Sequence, residues 1–212
     1  MDTKKSFARH LRHWEIALLF ALAATLAWGA VTERRQDDLA EKTVRLHVIA
    51  HSDAAADQEE KLLVRDRVLK MTEEILRSSR NAAEAKEALG RALPEVRQAA
   101  EEVLKSTGHG RAVRVLLEST VFPRKSYDGF SLPAGEYLAL RVVIGDGNGA
   151  NWWCVVFPPL CTTAATDLRE TAVAAGWDSS DISLITRENE GYVLRFRCIE
   201  LWESLRLWLG KK

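Results

Sequence analysis

Gly145–Cys161 reads GDGNGANWWCVVFPPLC, and the fold turns on this stretch. The alternating apolar segment Tyr137–Ile144 (YLALRVVI) precedes it, and Asp146-Gly147-Asn148-Gly149 separates that segment from Trp152–Phe157, which stops at Pro158-Pro159. Asp-Gly and Asn-Gly between two β-prone runs signal a hairpin, because Gly and Asn accept the positive φ that tight turns require. The expectation is a hairpin of Glu136–Gly145 with Asn151–Phe157. Consecutive strand residues point to opposite faces, so one of Trp152 and Trp153 belongs to a core and the other to a covering loop or a partner.

Working outward, Arg111–Thr120 reads as a strand, and Phe122–Tyr137 (FPRKSYDGFSLPAGEY) is a loop without periodicity whose aromatics argue for order. Thr43–Ala50 (TVRLHVIA) is a strand with Val44, Leu46 and Val48 on one face and Arg45 and His47 on the other. His51-Ser52-Asp53 supplies N-cap side chains for a helix over 54–80. Its Val64, Val68, Met71 and Ile75 form one stripe and Leu62, Leu69 and Leu76 a second, so it is covered on two sides. Asn81 with Glu84 opens a further helix as a capping box. Pro94 kinks that helix, and Gly108 and Gly110 end it. Downstream, 162–176 reads as a helix closed by Gly176, Ile182–Thr186 and Tyr192–Arg197 as a second hairpin, and a last helix starts near Ile199. The order β-α-α-β-β-β-α-β-β-α gives an α+β fold, a mixed and mostly antiparallel sheet packed with helices, in one domain over 43–212.

Ahead of the domain, Lys4, Lys5, Arg9 and Arg12 precede a run of 17 uncharged residues, Ile16–Thr32. Basic residues followed by an apolar run describe an export segment over 1–32. Its length is at the short edge of a spanning helix, and Ala27-Trp28-Gly29 offers a cleavage site before Ala30, so signal peptide and retained anchor both stand. Either way the positive-inside rule sends the domain outside. Residues 33–42 (ERRQDDLAEK) read as a solvated linker. The chain of 212 residues has 30 basic and 30 acidic side chains, so no net field argues for nucleic acid.

Cysteine chemistry is the first enzymatic reading to weigh. Cys154 with His47 or His51 would make an exported cysteine hydrolase, but no local nucleophile signature surrounds Cys154, which falls within a strand. The three cysteines show no zinc spacing. Cys154 and Cys161, seven residues apart, would stand about 23 Å apart if extended, so only a reversal at Pro158-Pro159 could bridge them. A bridge to Cys198 is geometrically easier, and free buried thiols are the third option. His47 and His51 diverge as metal ligands, Asp128 and Asp146 sit in Gly turns for backbone reasons, and DGNG lacks the ligands of a calcium loop. Neither metal nor cofactor is expected.

RLHVIAHSD (Arg45–Asp53), then Asp57-Gln58, Lys61 and Val64-Arg65-Asp66, resembles the opening of the stage II sporulation protein R family. The spaced motifs of Phe122–Gly129, Leu132–Tyr137, Leu140–Gly145 and Gly149–Cys161 are similar to the rest of its pattern. His51 stands where that family is expected to carry Asn. The resemblance implies an exported signal of endospore-forming bacteria, released from the forespore toward the mother cell. There it activates a membrane-embedded aspartic protease that processes the precursor of sigma factor E. It implies a protein ligand without enzymatic activity, with that protease as partner and with no nucleic acid or small-molecule substrate. Ordered aromatics anchor protein interfaces, which makes Phe122, Pro123, Tyr127, Phe130, Tyr137, Trp152 and Trp153 the candidates for partner contact. Arg45, His47, Ser52, Asp53, Arg65, Gly135, Gly145, Asn151, Cys154, Pro158, Pro159 and Cys161 are the motif positions expected to hold the structure.

Overall fold

Strand β1 (Val44–Ile49) has all six residues buried, because it lies inside the sheet with a covered face on each side. The computed structural model describes residues 13–108, 110–161 and 167–186. Around β1 stand β2 (Val113–Phe122), β5 (Gly135–Ile144) and β6 (Asn151–Phe157), in the order β2-β5-β1-β6. β1 runs parallel to β5 and antiparallel to β6, and β2 runs antiparallel to β5. The mixed, mostly antiparallel α+β architecture is therefore present.

The expected hairpin of β5 with β6 is not. β1 is inserted between the two strands, pairing Leu140 with Leu46 on one side and Cys154 with Leu46 on the other. The Gly-rich turn spans the end of β1, and its amides satisfy β1's continuation: Asn148 donates to the His51 carbonyl (3.1 Å) and Gly149 to that of Ala50 (3.0 Å). A turn signal reports local φ; it does not report whether a third strand lies in the gap.

One face of the sheet carries Val44, Leu46 and Val48 of β1, Leu140, Val142 and Ile144 of β5, and Cys154 and Val156 of β6. Helices α2 (Ala55–Leu76), α3 (Ala82–Arg91) and α4 (Leu93–Ser106) cover it. Val64, Val68, Leu89, Val96, Ala100 and Leu104 supply their buried stripes. In α2 the second expected stripe holds at Leu69 and Leu76, whereas Leu62 is exposed. The α2 N-cap is Ala54, with no side-chain cap bond, so the expected capping by His51-Ser52-Asp53 does not occur. Ser52 Oγ instead accepts from the Ala54 amide at 3.1 Å and donates to the Asp57 carboxylate, and Asp53 turns to the β5–β6 connection. The capping expected at Asn81 does occur, its side chain accepting from the Glu84 amide at 2.9 Å. Pro94 separates two helices, where a kink was expected. Ala92 closes α3, and Pro94 sits in the first turn of α4, where its missing N–H has no intrahelical partner to lose.

The loop expected over 122–137 contains a small ribbon, β3 (Lys125–Ser126) with β4 (Ser131–Leu132), closed by Gly129 at φ 81°. Helix α1 (His13–Glu41) holds the export segment and also the stretch expected as a solvated linker. That stretch is helical because its last turn has a core to join. Leu39 packs with Phe130, Leu132, Val155 and Trp177, and Ala40 with Phe122, Tyr137 and Ala139. Lys42 then meets Asp181 at 2.7 Å.

After the sheet come α5 (Leu168–Ala174) and α6 (Ser179–Thr186). Gly176 at φ 87° closes α5 as expected, with Trp177 donating back to the Ala172 carbonyl. Ile182–Thr186 was expected as a strand but is helical, because Asp178 caps the turn by accepting from the Ser180 and Asp181 amides at 2.7 and 2.9 Å. The expected strand at 192–197 and the helix from Ile199 lie outside the described residues, as do residues 162–166 of the helix expected over 162–176.

Candidate partner-recognition surface

The motif residues converge at the end of β1, where the β5–β6 connection meets the start of α2. Gly145 (φ 55°) and Gly147 (φ 69°) adopt backbone that L side chains rarely enter. Gly149 is required by space, since a Cβ there would stand 2.2 Å from the Ser52 carbonyl oxygen. Around this contact, Asp53 accepts from the Ala150 amide (2.7 Å), Gln58 donates to the Ser52 carbonyl (2.8 Å) and Lys61 to the Ala150 carbonyl (3.1 Å). His51 Nδ1 accepts from the Asp146 amide at 3.1 Å. An Asn carbonyl oxygen is an acceptor of the same kind, so the Asn expected here could make the same bond.

Beneath this knot a second group of motif residues lies on the sheet face away from α2. Arg45 is 0% exposed. Its guanidinium stacks 4.0 Å from the Phe122 ring centroid and 4.9 Å from that of Tyr137, and Nη2 donates to the Tyr127 hydroxyl at 2.6 Å. Burial lowers the pKa of Arg45 and raises that of Tyr127; it pushes Tyr137 up to about 12, so both phenols stay protonated. The Tyr137 hydroxyl donates to the Pro133 carbonyl at 2.8 Å, which shapes the turn into β5 at Gly135. His47, 8% exposed, is opposite Trp153 and Arg141 in register. Its Nε2 donates to Asn151 Oδ1 at 2.8 Å. Burial holds its pKa below 6.5, with Arg141 and Arg45 adding to the effect against the Asn151 bond, so the ring is neutral.

The outer rim is aromatic. Trp152, 37% exposed, lies under the Arg65 guanidinium at 4.3 Å. Arg65 is itself held by the Asp66 carboxylate at 2.6 Å. Tyr127 stacks on Phe130 with ring centroids 4.8 Å apart. Between α2 and the ribbon these groups line a cleft of about 540 Å³, with Arg65, Leu69, Tyr127, Asp128, Trp152 and Trp153 on its walls. Of the seven candidate contact residues, Pro123 and Trp152 are exposed and Tyr127 and Trp153 half-buried. Phe122, Phe130 and Tyr137 are buried, where they position Arg45 and Tyr127 and offer no surface.

Cys154 and Cys161 form a disulfide with Cα atoms 6.0 Å apart. Of the three options for these sulfurs, the reversal at Pro158-Pro159 is the one present. The Phe157–Pro158 peptide is cis, the Leu160 amide donates to the Pro158 carbonyl at 2.7 Å, and Cys161 Sγ accepts from the Val155 amide at 3.0 Å. Cys198 lies outside the described residues. Cys154 faces α2 whereas His47 faces the opposite side, so no cysteine–histidine pair forms between them. Among the described residues no cluster of three metal-ligating side chains exists.

Sequence reading missed the ion cluster at the start of α2. Arg111 reaches Asp57 at 2.6 Å and Glu60 at 3.5 Å, both acids being buried. The available signal was position: Asp57, Glu60 and Lys61 continue the buried Val64–Val68 stripe by one turn.

A family model described as Stage II sporulation protein R matches residues 40–167. A curated protein named Stage II sporulation protein R, from Bacillus subtilis (strain 168), is 37% identical over 121 residues, which is 57% of this chain and 54% of the relative. The match thus spans about half the length of that relative. No solved structure matches the chain. The family match covers more than half of the chain and takes in the β1 knot, the ribbon, the caged arginine and the disulfide turn; the chain belongs to the stage II sporulation protein R family.

Proposed function

We propose that the protein is an exported sporulation signal that activates a membrane-embedded aspartic protease, which then processes the precursor of sigma factor E. The observation that carries this reading is the join between α1 and a disulfide-bonded domain of this family. The helix is long and apolar enough to cross a membrane, and its last turn is part of the domain core. A disulfide suits the oxidising side of a membrane. From Thr32, the end of the uncharged run, to Leu39 is seven residues, about 10 Å of helix at 1.5 Å per residue. A domain held that close to a bilayer is placed to meet a partner embedded in it. The hydrolase alternative needs a Cys154 thiolate, and that sulfur is bonded to Cys161 and buried.

The test is to express the full chain in sporulating cells that lack their own member of this family and to follow the sigma E precursor by immunoblot. Conversion to the mature form is expected. A chain that is exported and folded, yet leaves the precursor intact while the cells' own family member restores it, would refute the reading.

A further inference from the structure

Strand β2 ends the sheet on the side opposite β6, and no described strand pairs with its outer edge. The Gly145 amide donates to the Ala112 carbonyl at 2.8 Å, and from that bond the antiparallel register with β5 runs without a shift to Phe122. Even-numbered residues of β2 therefore direct their main-chain groups to β5, while Val113, Val115, Leu117, Ser119 and Val121 turn theirs outward. Ten residues without Pro, Gly or a bulge make a long edge of a kind that proteins otherwise shorten, twist or cover.

The side chains on the sheet face away from α2 fit this edge to a copy of itself. Arg114 is exposed and makes no ion pair among the described residues, and Leu116 is 41% exposed. Glu118 accepts from Arg141 Nη1 through Oε1, which leaves Oε2 for a second arginine. When a second β2 lies antiparallel along the outer edge with Leu116 opposite Leu116, Arg114 of each copy stands opposite Glu118 of the other. The outward groups of Val113 then meet those of Ser119, and those of Val115 meet those of Leu117. Sliding the copy by two residues in either direction sets Leu116 against a charged side chain. Sliding it by four sets Arg114 on Arg114 or Glu118 on Glu118. Only the first register matches apolar to apolar and each charge to its opposite.

We infer that β2 is a homodimer interface, in which two copies of this chain pair about a two-fold axis at Leu116 and merge their four-stranded sheets into one. The axis of such an antiparallel pair stands normal to the sheet, so both copies carry α1 on the same side of the merged sheet. The last turn of α1 lies on that side, where Ala40 packs with Phe122, Tyr137 and Ala139. Two chains whose helices enter one bilayer need that arrangement. The dimer goes beyond the signalling reading and is tested on the purified chain, with no other protein present.

The test uses the full-length chain in detergent with Cys198→Ser, so that Cys154 and Cys161 are its only cysteines, and adds Leu116→Cys. Residues opposed at such a non-hydrogen-bonded position have Cα atoms about 4.5 Å apart, within reach of a disulfide. Mild oxidation should convert most of this chain to a dimer on a non-reducing gel. Ser119→Cys should stay monomeric, because the two positions would lie about 20 Å apart across the axis. Adding Arg114→Glu or Glu118→Lys to the Leu116→Cys chain sets like charges opposite each other and should slow crosslinking by about tenfold. Mixing those two variants puts opposite charges back on both sides of the axis, so the mixture should crosslink at close to the parent level. A misfolded variant would not recover on mixing. Failure of Leu116→Cys to crosslink, equal crosslinking at Ser119→Cys, or no recovery on mixing would each overturn the proposal. The first outcome would leave the edge to a strand of another protein, and the second would assign the association to α1.

Discussion

Removing the Cys154–Cys161 bridge by Cys161→Ser tests how the sheet's edge strand is fixed. The bridge closes a loop of seven residues' separation. Chain entropy for such a loop gives about 2.1 + 1.5R ln 7, or ~8 cal/mol/K, which at room temperature is about 2.4 kcal/mol. Few further terms enter. Cys154 is left as a small apolar side chain in the α2-facing core, which a free thiol tolerates. The Val155 amide loses its 3.0 Å sulfur acceptor but can turn to the serine hydroxyl. For a domain of this size a kilocalorie shifts the melting temperature by about 2–4 °C, so Cys161→Ser should melt some ~5–10 °C below the oxidised wild type. The assay is thermal denaturation by circular dichroism of the full chain in detergent, with and without dithiothreitol. Reductant should bring the wild type down to the variant and leave the variant unmoved. A variant as stable as the oxidised wild type, or a peptide map joining Cys154 to Cys198, would refute the reasoning. At a temperature where the variant is folded, signalling should persist, whereas a cysteine hydrolase would be dead.

Three further outcomes are expected. Gly149→Ala puts a Cβ 2.2 Å from the Ser52 carbonyl oxygen and should cost about 3 kcal/mol by urea denaturation, whereas Gly90→Ala, in α3 with nothing within 4 Å, should stabilise by about 0.5–1 kcal/mol; equal effects at the two sites would sink the close-approach argument. Trp152→Ala removes the exposed aromatic under Arg65 and should abolish precursor processing while lowering stability by no more than about 1 kcal/mol; unimpaired processing would take Trp152 out of the contact surface. His47 is held neutral in the fold, while in the unfolded chain it titrates near its ordinary 6.5. Below that pH the unfolded state binds a proton that the folded state refuses, so stability should fall as pH drops from 6.5 toward the depressed folded value; a His47→Gln chain with the same slope in that window would count against the assignment.

What could be read from the residues was whatever depends on local periodicity and on motif. β1 showed as a strand by alternation, α4 by its Val96, Ala99, Ala100 and Val103 stripe, and the Asn81 cap by its spacing from Glu84. The errors arose where a distant segment decided. Nothing in Asp146–Gly149 announces that β1 will occupy the space between β5 and β6, because the parallel partner lies about ninety residues earlier. Ile182–Thr186 is apolar enough for a strand, and Asp178 outweighs that by capping a helical turn. The charged residues after Thr32 looked solvated because most of them are; Leu39 and Ala40 alone join the core. The recognition residues divided in the same way. Aromatic content marked the ribbon correctly as ordered, but exposure depends on tertiary packing, and packing placed Phe122, Phe130 and Tyr137 around a buried arginine.

The junction of α1 with the core bears on the choice between signal peptide and anchor. Cleavage before Ala30 would leave a helix from Ala30 to Glu41, and that remnant still contains Leu39, Ala40 and the Thr43 hydroxyl bond to the Leu39 carbonyl at 2.6 Å. Both products therefore keep the same domain, with the last turn of α1 over Phe122, Tyr137 and Ala139, beside Arg45. What differs is restraint. A retained helix would hold this face within about 10 Å of the bilayer, so that encounter with a membrane-embedded partner is confined to the membrane plane. A released domain would have to find the same partner by diffusion in three dimensions, at a rate set by its concentration. Dilution separates the two cases: activation by a released domain should fall with its concentration, and activation by a tethered one should change little.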